Sequence, residues 1–225
     1  MVRRIDDSEF IKEYDIKEHK FMTMEEEKRQ RVINAALREF SKGYMAANTD
    51  VIVKESGISK GLLFHYFGSK RGLLLFLIIY SLDIFFTEYE KVISEDYDFL
   101  ENIRIGSKLK MELSFRYPLI FGFLIKAYSA AKDVFPEGLP NDLPYSFHMV
   151  EAMQQIRQRS NPEKTLFKEG LDSEKAQNII LWTMNGFIDS LLRYGDDVDA
   201  YRAHYDDMVK ELDEYLQILR KILYR

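Results

Sequence analysis

The sequence contains no cysteine, and this absence excludes a disulfide framework, a thiolate metal site and a cysteine nucleophile. Nothing at the N-terminus resembles a secretory signal, because residues 1–20 carry charged side chains throughout. The most apolar run, from Leu73 to Tyr80, is far shorter than the ~20 residues that cross a bilayer. We therefore expect a cytoplasmic protein with no membrane partner.

Proline and glycine are scarce, with five and eleven residues in a chain of 225. Apolar residues recur at helical spacing in every long segment, and no alternating strand pattern between turn dipeptides is present. The sequence therefore predicts an all-α fold. Beyond residue 95 the predicted helices are 97–116, 118–132, 145–160, 172–194 and 198–224.

The residue patterns of common catalytic sites are missing as well. The four histidines, at positions 19, 65, 148 and 204, lie far apart and form no metal-binding motif. Gly68-Ser69-Lys70 lacks the upstream glycine of a phosphate-binding loop, and no Gly-x-Ser-x-Gly elbow occurs. We predict that the chain is not an enzyme and has no catalytic residue, metal site or cofactor.

Charge is distributed unevenly along the chain, whose formal net charge is −5. Between Met24 and Arg71, nine Lys and Arg residues outnumber six Asp and Glu residues, so this segment carries +3. The remainder carries −8. This distribution directs a polyanionic partner towards the N-terminal part.

Capping residues mark several helix starts in the basic segment. Thr23 with Glu26 has the spacing of a capping box, and Asn48, Ser59 and Ser69 are candidate N-caps. The helices that start at Asn48 and Ser59 are short, and Ser56-Gly57 separates them. Two short helices joined by a tight glycine-containing turn are typical of a helix-turn-helix that reads the major groove of DNA.

The second short helix has distinct inner and outer faces. Ile58, Leu63 and Phe67 should pack inwards on Ile52, which leaves the opposite side free for DNA. Gly61 and His65 lie on that opposite side, flanked by Leu62 and Phe64. Lys60, Tyr66 and Lys70 could reach phosphates. The competing interpretation of the basic residues, an ordinary solvated face, is less favoured on a two-helix unit with this turn.

Residues 25–75 also resemble the DNA-binding domain of TetR-type repressors. The resemblance is carried by Gly43-Tyr44, Asn48, Ile52, the run GISKGLLFHYF over residues 57–67, and Ser69-Lys70. It implies a homodimer with one recognition helix per subunit and a helical C-terminal domain that binds a small inducer. Leu62 stands where the family often has Thr, Ser or Asn, which implies a thymine-methyl contact in place of base-edge hydrogen bonds.

By position, the resemblance implies a set of residues that contact DNA. These are Asn48, Thr49, Lys60, Gly61, Leu62, Phe64, His65, Tyr66 and Lys70. Asn48 and Thr49 would contact the backbone, Phe64 and His65 would face bases or sugars, and Tyr66 and Lys70 would hold phosphates.

The last two predicted helices carry wide apolar stripes. Their own core is one possible place of burial, but two long, adjacent, wide-striped helices also suit a four-helix bundle formed by two subunits. We therefore predict a dimer interface there. Its residues are Ile180, Met184, Phe187, Leu191, Tyr205, Met208, Leu212, Tyr215 and Leu219.

The middle of the chain is rich in aromatic residues and methionine. Each could be ordinary core, but as a set they are typical of an adaptable apolar pocket with a few polar groups. We predict a pocket for an apolar or aromatic inducer. Its candidate residues are Met111, Phe115, Phe121, Tyr128, Tyr145, His148, Met149, Met153, Trp182 and Asn185.

Together these features predict three segments: an N-terminal extension at 1–22, a three-helix helix-turn-helix domain at 23–70, and a larger helical domain for ligand binding and dimerisation at 71–225. The predicted function is transcription regulation by a repressor that leaves a palindromic double-stranded DNA operator when its inducer binds. The alternative is a helical lipid or small-molecule binding protein without a DNA role.

Overall fold

A computed structural model describes residues 19–135, 160, 166–191 and 202–225. In these ranges the chain is helical and contains no strand, apart from one isolated antiparallel bridge between Phe167 and Tyr224. The predicted all-α fold is confirmed. The predicted helix at 145–160 lies outside the described residues except for Ser160.

A 3-10 helix at Lys20–Thr23 precedes the α-helices. The helices are α1 at Glu26–Phe40, α2 at Thr49–Ser56, α3 at Lys60–Phe67, α4 at Lys70–Glu90, α5 at Phe99–Arg116, α6 at Pro118–Val134, α7 at Ser173–Leu191 and α8 at Tyr205–Leu223.

Three of the four predicted caps are present. The side chains of Asn48 and Ser59 accept hydrogen bonds from the first turns of α2 and α3, and Ser69 Oγ accepts one from Gly72 N at 3.0 Å. The capping box at Thr23 is wrong. The Thr23 hydroxyl donates to Lys20 O at 2.7 Å within the 3-10 helix, and no side chain caps α1.

The chain divides into two compact units. Unit 1 comprises Met1–Phe86 and Leu119–Glu151, and unit 2 comprises Thr87–Pro118 and Ala152–Arg225. The core of unit 1 contains fully buried side chains from α1 to α4 and from α6, among them Ile33, Leu37, Phe40, Ile52, Leu63, Phe76 and Phe123. The core of unit 2 is built from α5, α7 and α8.

Helix α4 is long and apolar enough, by length and composition alone, to cross a membrane. The short run noted in the sequence therefore understates the apolar character of this helix. Leu73, Phe76 and Leu77 are buried in unit 1, which accounts for that character because core helices pass the same test.

Polar contacts join the elements of unit 2. Arg104 on α5 donates from Nε to Asp213 Oδ1 on α8 at 2.6 Å, and the Tyr224 hydroxyl accepts from Leu100 N at 3.2 Å. Buried Asn102 bonds to both backbone groups of Ser94 and donates to Ser160 Oγ at 3.0 Å. These bonds hold the N-terminal part of α5 against the C-terminal end of the chain and against the loop that precedes α5.

Candidate nucleic-acid interface

Helices α2 and α3 form a helix-turn-helix. Asn48 Oδ1 accepts from Asp50 N at 2.8 Å, and Ser59 Oγ accepts from Leu62 N at 3.1 Å, so both helices begin on a capped turn. Between them Gly57 adopts a φ of 70°, a left-handed conformation that suits glycine. Ile52 and Leu63 are fully buried, and they hold the two helices on the core of unit 1.

Most of the predicted DNA-binding residues on α3 lie on its outer side, and Tyr66 lies at the edge of that side, against Phe21. Lys60, Gly61 and His65 are exposed, whereas Leu62, Phe64 and Tyr66 are half-buried. Leu63 and Phe67 point into the core, as the sequence pattern requires. At the start of α2, Asn48 is exposed and Thr49 is half-buried. The outer side of α3 is therefore a mixed polar and apolar surface, of the kind that can contact base edges.

Lys60 is not a free cation. Its Nζ lies 2.7 Å from Asp50 Oδ1 on α2, and both side chains are exposed. The sequence analysis did not name Asp50 as a site residue, because the Asp50–Lys60 pair joins two helices and no local pattern indicates it. A carboxylate at this position repels DNA phosphates. It also neutralises the charge of the lysine that would otherwise meet them.

Lys70, at the start of α4, contacts Tyr44 at the edge of the interface. Its Nζ lies 4.8 Å from the centroid of the Tyr44 ring, a cation–π contact. Burial lowers the pKa of Lys70, and the nearby charge of Glu39 on α1 opposes that shift. Tyr44 and Glu39 were not predicted as site residues, although Tyr44 belongs to the resemblance described above.

An aromatic anchor from the 3-10 helix supports the inner side of α3. Phe21 is fully buried, and its ring centroid lies 5.5 Å from that of Tyr66 and 4.8 Å from that of Phe67. Arg29 Nη1 donates to Met22 O at 2.7 Å and to Met24 O at 3.1 Å, which ties the 3-10 segment to α1. The segment from His19 therefore packs directly on the recognition helix.

His19 makes this anchor dependent on pH. Its Nδ1 accepts from Phe21 N at 3.2 Å, its ring lies between Phe67 and Phe76, and burial lowers its pKa below 6.5. Because the folded state disfavours the protonated form of His19, the contribution of the neutral ring to folding stability is complete above the unfolded-state pKa. It is lost as the pH falls from there through the lower folded-state pKa.

We expect the melting temperature of the wild type to drop more between pH 7.5 and 5.5 than that of His19→Leu. Equal drops, measured by circular dichroism, would contradict this assignment.

The predicted pocket residues fall in both units, and several lie outside the described residues. Met111 is buried in the core of unit 2, Phe115 contacts the Tyr205 ring at 5.2 Å between centroids, and Asn185 is half-buried. Phe121 belongs to unit 1, and Trp182 is 70% exposed. Trp182 lies opposite the core-facing residues of α7, so we assign it to the surface of the unit. The side chain of Tyr128 and all of Tyr145, His148, Met149 and Met153 lie outside the described residues.

The predicted dimer residues are mostly buried in the chain's own core. These are Ile180, Met184, Phe187, Met208, Leu212 and Leu219. Tyr205 is half-buried against the same core, Tyr215 is exposed, and the side chain of Leu191 lies outside the described residues. These side chains pack against one another within unit 2, where α8 lies against α5 and α7.

Other apolar residues on the same two helices remain exposed. They are Ile179 and Trp182 on α7, and Tyr215, Ile218 and Ile222 on α8. We call these five residues the exposed apolar rows. On each helix they lie three, four or seven positions apart, which places them on one side. The sequence analysis assigned only Tyr215 to the dimer interface and placed Trp182 in the pocket, because periodicity does not distinguish the inner face from the outer one in a helix that is apolar on both.

Comparison with known proteins bears on the helix-turn-helix most directly. Residues 32–76 match the tetR family of bacterial regulatory proteins. The HTH-type transcriptional regulator RutR of Escherichia coli (strain K12) is 34% identical over 92 residues, which cover 40% of this chain and 43% of RutR. The uncharacterized HTH-type transcriptional regulator YuxN of Bacillus subtilis (strain 168) is 44% identical over 62 residues, 27% of this chain and 21% of YuxN. The chain thus spans less than half the length of these curated relatives.

Solved structures resemble the chain over most of its length. A TetR family transcriptional regulator from Chloroflexus aurantiacus superposes with a TM-score of 0.63 at 20% identity, covering 91% of this chain and 97% of that one. The fatty acid degradation regulator FadR from Bacillus halodurans gives a TM-score of 0.59 at 17% identity, with coverages of 81% and 93%. At these identities the likeness shows the fold.

The all-α fold and the helix-turn-helix are shared with the DNA-binding transcriptional regulators to which the chain is similar. Residues 32–76 match the tetR family in particular, where the sequence resemblance predicts such a match. The related proteins are transcriptional regulators, which agrees with the prediction that the chain is not an enzyme.

Proposed function

We propose that the chain is a dimeric repressor that binds a palindromic operator in the cytoplasm and leaves it when a small apolar or aromatic molecule binds. The observation that carries the proposal is the outer face of α3, where Lys60, Gly61 and His65 are exposed beside a capped helix-turn-helix. Such a face has the dimensions and donors of a major-groove reader.

The proposed roles of individual residues follow from their exposure. Gly61 has no side chain, so the backbone of α3 can approach DNA closely. Half-buried Leu62 and Phe64 offer apolar contacts to thymine methyl groups, and His65 offers a hydrogen bond to a base edge. Lys60, Tyr66 and Lys70, with Asn48 and Thr49 at the start of α2, hold the phosphates.

Dimerisation is proposed through the exposed apolar rows. Large side chains such as Trp182 and Ile222 are unusual on a surface that meets only water, and tryptophan is enriched at the centres of interfaces. A symmetric dimer would present two copies of α3 to half-sites about 34–36 Å apart. That spacing is why we propose a palindromic operator.

The inducer is proposed on the aromatic and methionine content of the chain between residues 111 and 153. A ligand that prefers a state with the wrong spacing of the two recognition helices would shift the dimer away from DNA. A coupling of about 1–3 kcal/mol between the ligand and DNA sites is typical for such regulation.

The test is capture of fragmented genomic DNA from the source organism by the purified protein, followed by sequencing of the bound fragments. We expect enrichment of one short palindromic site by the wild type and loss of that enrichment in Lys60→Ala/Lys70→Ala. Lys175→Ala/Lys210→Ala, which removes two exposed lysines from unit 2, is the matched control and should retain it. If the wild type enriches no site after denaturation and refolding away from any bound ligand, the proposed function is wrong.

The ion pair of Lys60 gives a second prediction. Asp50→Asn should tighten operator binding and steepen the salt dependence by up to about 0.9 in the slope of log K against log [salt], because the Asp50 carboxylate no longer competes with a phosphate for the Lys60 ammonium. Asp50→Glu, which retains the charge, is the control. Fluorescence anisotropy with a labelled duplex over a range of salt concentrations measures both quantities. An unchanged slope in Asp50→Asn would show that Lys60 makes no phosphate contact.

A further inference from the structure

Glu39 is a buried acidic residue at the end of α1, and the helix-turn-helix pattern does not account for it. Its side chain is 3% exposed. Acidic side chains are rarely buried to this extent unless positive charges and hydrogen bonds compensate them. The groups around the carboxylate therefore indicate what it does.

Both carboxylate oxygens of Glu39 are engaged. Oε2 accepts from the backbone N–H of Asn48 at 3.0 Å, and Oε1 accepts from Lys42 Nζ. Asn48 is also the N-cap of α2. One carboxylate thus connects the end of α1 to the first residue of the helix-turn-helix, across the loop that joins them.

Glu39 also interacts with Lys70. Burial raises the pKa of Glu39, but the hydrogen bonds from Lys42 and Asn48 and the charges of Lys42 and Lys70 outweigh burial and hold the pKa below 4.5. The carboxylate is therefore ionised near neutral pH, and its charge favours the ammonium form of Lys70, whose Nζ lies beside the Tyr44 ring. The Tyr44 ring contacts that ammonium directly, and the charge of Glu39 adds an attraction from α1.

We propose that Glu39 is a positioning residue of the DNA interface, which holds the start of α2 and the Lys70 ammonium in the arrangement that meets the phosphate backbone. This inference rests on the proposed DNA binding by α2, α3 and Lys70. Glu39 itself does not touch DNA, because a buried carboxylate cannot approach phosphates. It acts through the backbone of Asn48 and the ammonium of Lys70, two residues that lie more than twenty positions apart in the sequence.

A different role would have the opposite consequence. If Glu39 only neutralised Lys70, it would subtract one positive charge from the interface, and its removal would strengthen DNA binding. If it positions Lys70 and α2, its displacement weakens DNA binding even when the charge is retained. The sign of the change in affinity separates the two roles.

The experiment measures dissociation constants for the captured duplex over a range of salt concentrations. Glu39→Asp retains the charge and withdraws the carboxylate, and we expect affinity to fall about three- to tenfold, as after loss of one phosphate contact. Glu55→Asp is the matched control, since Glu55 is an exposed partner of Arg38 in the same unit, and its affinity should not change. In a Lys70→Ala background the effect of Glu39→Asp should shrink, because the two residues act together.

Glu39→Gln gives a second reading if Glu39→Asp proves unfolded by circular dichroism. Gln keeps an acceptor for Asn48 but lacks the charge that holds Lys70, so we expect weaker binding and a salt slope reduced by about 1. Binding by either folded variant that is as tight as, or tighter than, wild type overturns the positioning role. If the wild type itself binds no duplex at low salt, the proposed function fails and this inference fails with it.

Discussion

Trp182→Glu/Ile222→Glu should convert the protein from a dimer to a monomer and abolish operator binding at physiological salt. Both side chains are exposed on one chain, at 70% and 57% respectively, and both lie in the exposed apolar rows. In a symmetric dimer each substitution places two carboxylates in the interface, where an unpaired buried charge costs several kcal/mol.

The loss of DNA binding should follow from the loss of the dimer. A single helix-turn-helix makes roughly half of the phosphate contacts, so the monomer should bind far more weakly. Sedimentation equilibrium measures the mass, and anisotropy measures the affinity. Gln217→Glu, at an exposed position on another side of α8, should remain dimeric. A double variant that is still dimeric would place the interface elsewhere.

Phe21→Ala should strongly destabilise the part of unit 1 that packs on α3. Its ring is fully buried against Tyr66, Phe67 and Phe76, and truncation of such a Phe to Ala costs about 3–5 kcal/mol. Because two of these neighbours belong to α3, operator affinity should fall as well.

Urea unfolding of the two Phe21 variants checks the first effect. Phe21→Leu keeps most of the apolar volume and should cost much less, roughly 1 kcal/mol. Met45→Ala, at a residue that is 89% exposed, should leave the free energy of unfolding unchanged. A loss below about 1 kcal/mol in Phe21→Ala would mean that the 3-10 segment is not part of the folded domain.

Local signals in the sequence predicted much of the helix-turn-helix. Asn48 and Ser59 cap their helices because a short polar side chain before an apolar run can satisfy the first free N–H groups. Leu63 and Phe67 face the core because they are four residues apart on a short helix. These features depend on neighbours within one or two turns.

Long-range contacts account for what the sequence did not predict. The Glu39–Asn48 bond, the Asp50–Lys60 pair and the Phe21 anchor each join elements whose packing no local pattern specifies. Thr23 failed as a cap because the 3-10 helix before α1 engages its hydroxyl. On α7 and α8 both faces are apolar, so periodicity predicted the helices but not which face is buried.

The central claim is that two copies of α3 read successive major grooves of one operator, and hydroxyl-radical footprinting of the captured site tests it most directly. The account predicts two protected regions related by a dyad, with centres about 34 Å or one helical turn apart, and their joint loss in Lys60→Ala/Lys70→Ala. A single protected region without symmetry, or protection that survives in this double variant, would contradict it.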